Sequence, residues 1–226
     1  MTSPSDHHSI SAALQSAATA AANVAPATTP SEAPSRPSGI PSWLNPFKQI
    51  QFKMARIDTA HDAWAQISDQ HQRNPLFREI LKLDGEASFN TWFNIATLHF
   101  WMLSKRLRME GDVGRAFNQE LFNVMWLEIE FRLAQAGVYR MEKTLGEIMS
   151  MHYGQTLAYD EGLAKGDAIL ASALYRNLFN GDATPPDATT MVKLLDWIYM
   201  ELNRLQACTR EDMINGKITF VPIVMA

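Results

Sequence analysis

The sequence predicts an all-α protein, a single compact multi-helix domain that carries a disordered N-terminal tail. Apolar residues recur at three- and four-residue spacing through most of the chain after residue 58. Helix start and stop residues punctuate that pattern, with Ser88 and Asp187 ahead of apolar stripes and Gly137 behind one. Period-two alternation of strand length is confined to Lys217 to Val221. With 226 residues the chain is long enough for one sizeable core and a tail.

Residues 1–40 are dominated by Ala, Ser, Pro and Thr and contain no aromatic side chain. Such a stretch cannot bury enough surface to offset chain entropy, which predicts the disordered tail. Read as a targeting segment it is atypical, because Arg36 is the only Lys or Arg while Asp6 and Glu32 intrude. Residues 41–58 mix apolar anchors (Trp43, Leu44, Phe47, Ile50, Phe52) with Lys48, Lys53 and Arg56. This is expected as a docking segment, against its own domain, a partner or an anionic membrane surface.

The helical domain is expected over 59–226. A helix near Thr59 to Gln72 is broken at Asn74-Pro75, and a short one near Leu76 to Leu83 stops at Asp84-Gly85. Ser88 caps the next, whose stripe is Trp92, Ile95, His99, Met102 and Leu103. Gly111 and Gly114 predict a loop, and Leu121, Val124, Met125 and Ile129 a following helix that Gly137 ends. A further helix runs from about Met141 to Tyr159, with Leu145, Ile148, Met149 and Leu157 on one side. Asp167 caps another to Phe179, which ends in an Asn180-Gly181 turn, and Asp187 begins a last one with Met191, Leu194, Leu195, Ile198, Leu202 and Leu205 inward.

Composition narrows the chemistry. The chain has 20 basic and 24 acidic residues, a net charge of -4, so it holds no overall attraction for a nucleic-acid backbone. Cys208 is the only cysteine, which excludes an intrachain disulfide or a thiolate zinc cluster and suits a reducing compartment. The uncharged run from Ala87 to Ser104 carries Asn90, Asn94, Thr97 and His99, so it reads as a buried amphipathic helix, not a span. There is no Glu-x-x-His pair for a di-iron bundle, no H-E-x-x-H, no phosphate-binding loop and no G-x-S-x-G elbow. No cofactor or metal is expected.

Three polar groups stand out. His99 and Arg106 on one helix and Glu128 and Arg132 on the next are expected to form one interhelical ion-pair and hydrogen-bond network; partner contact, or a metal or acid-base role, is the alternative. Lys105, Arg106, Arg108 and Arg115 cluster at the end of one helix and in the loop after it; the helix dipole favours the first three cations there, or else the cluster meets phosphates or an acidic partner. Asp160 and Glu161 are paired carboxylates, expected in a helix-helix connection ahead of Gly162 and Gly166. The 12 Met and 6 Trp suit a core or a binding surface equally. Trp92, Phe93, Phe100 and Trp101 cover several sides of one helix, which predicts either a central helix or an interface.

The order Ser88-Phe-Asn-Thr-Trp92-Phe, Leu98-His99-Phe-Trp101-Met-Leu, Arg106-Leu-Arg108, Glu128-Ile-Glu130-Phe-Arg132, Gly154-Gln155, Ala158-Tyr159-Asp160-Glu161-Gly162, Gly166-Asp167 and Leu174-Tyr-Arg176-Asn177-Leu-Phe179 resembles the ubiquinol-cytochrome c chaperone family. The likeness runs from about Pro75 to Phe220, and Tyr175 stands where the family often has Trp. The resemblance implies a non-enzymatic assembly factor for the cytochrome bc1 complex, respiratory complex III. Its partners would be newly made cytochrome b, a small helical assembly-factor partner and the mitochondrial ribosome. It would sit on the matrix side of the inner membrane, with peripheral contact only.

On that reading Trp92, Phe93, Phe100, Trp101, Lys105, Arg106, Arg108, Tyr159, Asp160 and Glu161 are the partner or client contacts, and His99, Glu128, Arg132, Arg176 and Asn177 the structural network. Two other readings stay open: a ribosome-associated protein that binds rRNA through Lys105 to Arg115, and a helical hydrolase or metal enzyme using His99, Glu128 and Asp160.

Overall fold

The computed structural model describes residues 46–80, 88–179, 186–215 and 217–221; the expected tail over 1–40, the Asp84-Gly85 stop and the Asn180-Gly181 turn lie outside the described residues. Every regular element there is helical: α1 (Pro46–Ser68), α2 (Gln70–Arg73), α3 (Pro75–Ile80), α4 (Phe89–Leu107), α5 (Gly111–Gln135), α6 (Met141–Lys165), α7 (Asp167–Leu178), α8 (Ala188–Ala207) and α9 (Arg210–Ile214).

α4 is the axis of the fold. Ser88 accepts the Thr91 backbone N–H at 3.2 Å and so starts it as the sequence predicts. A Ser88→Ala chain should lose about 1 kcal/mol in chemical denaturation, and Ser88→Gly only a few tenths. From Trp92 to Ser104 every residue of α4 is buried, because α1, α2, α5, α6, α7 and α8 all pack on it. The aromatics on several sides of this helix therefore belong to a central helix: Trp92, Phe93, Phe100 and Trp101 are at most 3% exposed. Phe77 from α3 and Trp197 from α8 meet edge to face at 5.4 Å and close one end of the same core.

Several boundaries differ from expectation, each for a local reason. The helix expected from Thr59 begins at Pro46, a residue that fits a first helical turn because its missing N–H has no partner to lose. So residues 46–58 of the expected docking segment are part of α1, and residues 41–45 lie outside the described residues. The loop expected at Gly111 and Gly114 is a 3-10 turn, Arg108–Glu110, leading straight into α5. Gly114 lies inside α5, where a Cβ would run into the Leu107 carbonyl. Gly137 ends α5 as expected: at φ 69° it lets Val138 N–H reach back to the Leu133 carbonyl at 3.1 Å.

α6 continues to Lys165, well beyond Tyr159, so Tyr159 to Gly162 are helical and not a connection. Its buried stripe is Ile148, His152, Gln155, Tyr159 and Gly162, whereas Leu157 is 69% exposed. Gly166, not Asp167, occupies the N-cap of α7, and Asp167 instead accepts the Tyr199 hydroxyl at 2.7 Å. Asp187 caps α8 through the Thr190 N–H at 2.7 Å, as expected. Lys217 to Val221 alternates exposed and buried as a strand would, yet it joins no ladder among the described residues; Ile218 and Phe220 are buried on the core.

Candidate functional site

The residues in the Ala158 to Gly162 string work as a clasp between α4, α6 and α7. Tyr159 lies in the core against Trp101, ring centroids 5.3 Å apart. Asp160 faces the end of α4 and accepts from Trp101 Nε1 at 2.9 Å and Lys105 Nζ at 3.3 Å on that helix and from Arg108, in the turn after it, at 2.6 Å. Burial alone would raise the Asp160 carboxyl, but the Arg108 and Trp101 hydrogen bonds and the charges of Arg108 and Lys105 more than offset it and hold the group below its ordinary range.

Gly162 then meets α7 so closely that a Cβ would stand 2.6 Å from the Leu170 Cα. Burial pushes the Tyr159 hydroxyl well above the usual phenol range, opposed by Asn177 beside it. Glu161 points outward and pairs with Lys165 at 2.5 Å; that hydrogen bond, then the Lys165 charge, lowers its carboxyl, with the more distant charge of Arg176 adding weakly. Arg176 itself is exposed on α7.

The single network expected among His99, Arg106, Glu128 and Arg132 is two separate devices plus an isolated ring. Spacing along a helix shows which residues share a face but not which neighbour that face meets. Arg106, buried, donates to the Leu205 and Cys208 carbonyls, both at 3.0 Å, and to Glu110 at 2.5 Å. It thereby satisfies the C-terminal end of α8. Glu128 accepts Trp64 Nε1 at 2.5 Å and Ser68 Oγ at 3.0 Å from α1, and the guanidinium of Arg132 at 2.6 Å. Arg132 lies over the Trp92 ring, 4.1 Å from its centroid.

His99 is fully buried among Phe77, Trp197 and Phe220, with Nδ1 against the Ile95 carbonyl at 2.7 Å. His99, Glu128 and Asp160, weighed as an acid-base or metal set, are thus committed to different partners. The basic cluster also disperses: Arg106 is inside, Lys105 and Arg108 hold Asp160, and Arg115 pairs with Asp112.

Sequence reading missed His152 and Glu201. Each occupies an apolar-stripe register, Ile148–His152–Gln155–Tyr159 on α6 and Leu194–Ile198–Glu201–Leu205 on α8, and a polar residue in such a register was the available signal. Burial pushes both His99 and His152 down to about 4. An unfolded histidine binds protons from near pH 6.5, so the folded state is the poorer proton binder and its stability falls as pH drops from about 6.5 towards 4. Each histidine contributes roughly 3 kcal/mol to that loss at its limit. Melting temperatures at pH 7.5, 5.5 and 4.5 should fall steadily; a flat profile from pH 7.5 to 5.5 would contradict this.

Two openings occur among the described residues. A groove of about 470 Å³ lies between α1 and α5, with Trp64 and Glu128 at its base and Leu127 and Phe131, each 61% exposed, at its edge. A smaller hollow of about 290 Å³ lies among α4, α5 and α6, lined by Arg108, Asn118, Phe122, His152 and Tyr153. The buried Trp92, Phe93, Phe100, Trp101, Arg106 and Tyr159 are not surface contacts, which leaves Lys105, Arg108, Asp160 and Glu161 of the expected contact residues exposed or half-buried. No helix among the described residues is long and apolar enough to cross a membrane.

Residues 82–220 match the family model described as ubiquinol-cytochrome C chaperone. The mouse ubiquinol-cytochrome c reductase complex assembly factor 1 (Mus musculus) is 31% identical over 140 residues, 61% of this chain and 47% of that protein. Protein CBP3, mitochondrial, of Saccharomyces cerevisiae is 33% identical over 168 residues, 68% of this chain and 48% of that protein. The chain thus spans about half the length of these two relatives. The crystal structure of the Cbp3 homolog from Brucella abortus superposes with a TM-score of 0.65 at 18% identity, covering 79% of this chain and 96% of that one, and so shares the fold. With the family model matched over the whole run from before α4 to Phe220, the chain belongs to the ubiquinol-cytochrome C chaperone family.

Proposed function

We propose that this protein is a non-enzymatic assembly chaperone of the cytochrome bc1 complex, respiratory complex III. It holds newly made cytochrome b together with a small helical partner at the mitochondrial ribosome, on the matrix side of the inner membrane. The observation that carries the reading is the family match over residues 82–220, together with relatives named as assembly factors of that complex.

The surface supports a holding role. Leu127 and Phe131 project beside the α1/α5 groove with the half-buried Glu128 network beneath them, so the edge is apolar on a hydrogen-bonded base. Lys105, Arg108, Asp160 and Glu161 provide a mixed-charge surface on another side, suited to orienting a partner more than to strong attraction.

The rRNA reading is not favoured, because the cations it needs are paired with acids or buried. Affinity capture of the tagged chain from mitochondria tests the proposal. Recovery of cytochrome b and a small helical protein is expected from the wild type and should be lost in Leu127→Asp/Phe131→Asp. Capture of neither from the folded wild type would overturn it.

A further inference from the structure

The segment Lys217 to Val221 is held in an unusual way. Three side chains on one face of α8, at helical spacing, bind its backbone in place of a neighbouring strand. Trp197 Nε1 donates to the Val221 carbonyl at 3.3 Å, Glu201 accepts the Val221 N–H at 2.9 Å, and Arg204 donates to the Thr219 carbonyl. Ile218 and Phe220, two residues apart, are both buried in the core, with Phe220 edge-on to His99 of α4 at 4.7 Å. Lys217, Thr219 and Val221 face solvent. The groove therefore reads an extended backbone plus two apolar side chains at alternate positions, and little else of the sequence.

The buried carboxylate that binds the segment has a second partner on its own helix. Glu201 is fully buried, but Arg204 binds its other carboxylate oxygen at 3.0 and 2.7 Å, so departure of the segment leaves no unpaired carboxylate. Among the described residues the segment is held to the domain through backbone-backbone bonding only at Lys217, whose N–H reaches the Asp212 carbonyl at 3.0 Å.

We infer that the α4/α8 groove is a receptor for an extended segment with large apolar residues at alternate positions, that the chain's own Lys217 to Val221 occupies it as an internal blocker, and that a partner segment of the same pattern takes its place. The recognition is that of strand addition, with a helix face standing in for the sheet edge. The tethered blocker competes at high local concentration, so an outside segment gains access only when it binds well or the blocker is weakened.

The test uses the full chain and a fluorescein-labelled peptide of residues 215–221, Asn-Gly-Lys-Ile-Thr-Phe-Val. An Ile218→Ala/Phe220→Ala chain should bind the peptide at least tenfold more tightly than the wild type, while a peptide carrying the same two alanines should bind neither. Equal binding to both chains, or equal binding of both peptides, would overturn the inference. Should the double variant fail to fold, hydrogen exchange on the wild-type chain decides. At millimolar peptide the Val221 amide should exchange at least tenfold faster while α4 and α8 amides keep their protection, and an unchanged Val221 rate would sink the idea. A wild-type dimer formed by trading the segment between copies would also overturn it, by making the second copy the occupant.

Discussion

An Arg106→Ala chain should be less stable than the wild type by about 3–5 kcal/mol in urea denaturation, the range for breaking a buried, hydrogen-bonded charge pair. The guanidinium donates to the Leu205 carbonyl, the Cys208 carbonyl and Glu110, joining the end of α4 to the end of α8. Its removal strands the Cys208 carbonyl, leaves the Leu205 carbonyl with the Cys208 N–H alone at 3.2 Å, and leaves Glu110, 12% exposed, among the described residues with only the longer contact to Arg210 at 3.4 Å. Typical domains have about 5–15 kcal/mol in total, so a large share of the margin rests on this side chain. Arg106→Lys keeps the charge but not the fork that reaches three acceptors, and should recover less than half of the loss. A loss below about 1 kcal/mol for the alanine variant would show that the α4/α8 junction is held by apolar packing alone.

Gly162→Ala should destabilise by about 2–3 kcal/mol, even though alanine is the better helix former by about 1 kcal/mol. The added Cβ would stand 2.6 Å from the Leu170 Cα and 2.9 Å from the Leu170 N, and backbone atoms yield only if α6 and α7 separate. Gly154 is the control: it lies on the same helix with nothing within 4 Å of a Cβ, and Gly154→Ala should stabilise by roughly 0.5–1 kcal/mol. Opposite signs for two identical substitutions on one helix, read as shifts in denaturation midpoint, separate close approach from propensity. The same sign for both would refute the close α6/α7 contact.

What could be read from the sequence was local. Ser88 and Asp187 cap helices, and Gly137 ends one, because each acts within its own turn. The surplus of aromatics on α4 showed that the helix was central or interfacial, and the crowd of helices around it makes it central. Pairings between elements were not legible. His99 and Arg106 share a helix with Trp92, yet one meets Phe77 and Trp197 and the other the carbonyls ending α8.

Gly162 and Gly166 looked alike as chain-breaking residues, but only Gly166 lies outside a helix, at φ 107°. Tertiary contact overrode propensity at Gly162, where the absence of a side chain is what α7 requires. Lys217 to Val221 carried a true strand pattern whose partner is the face of a helix, an outcome no periodicity reveals.

Most of the string that resembles the family holds α4, α6 and α7 together, whereas Leu127, Phe131 and the charged groups around Asp160 lie exposed or half-buried at the surface. The most direct measurement is the amount of assembled cytochrome bc1 complex on native gels from source cells lacking this chain, beside cells that regain it. The account predicts loss of that complex with the other respiratory complexes retained, and recovery with the wild-type chain but not with Leu127→Asp/Phe131→Asp. An undiminished complex in cells without the chain would contradict it.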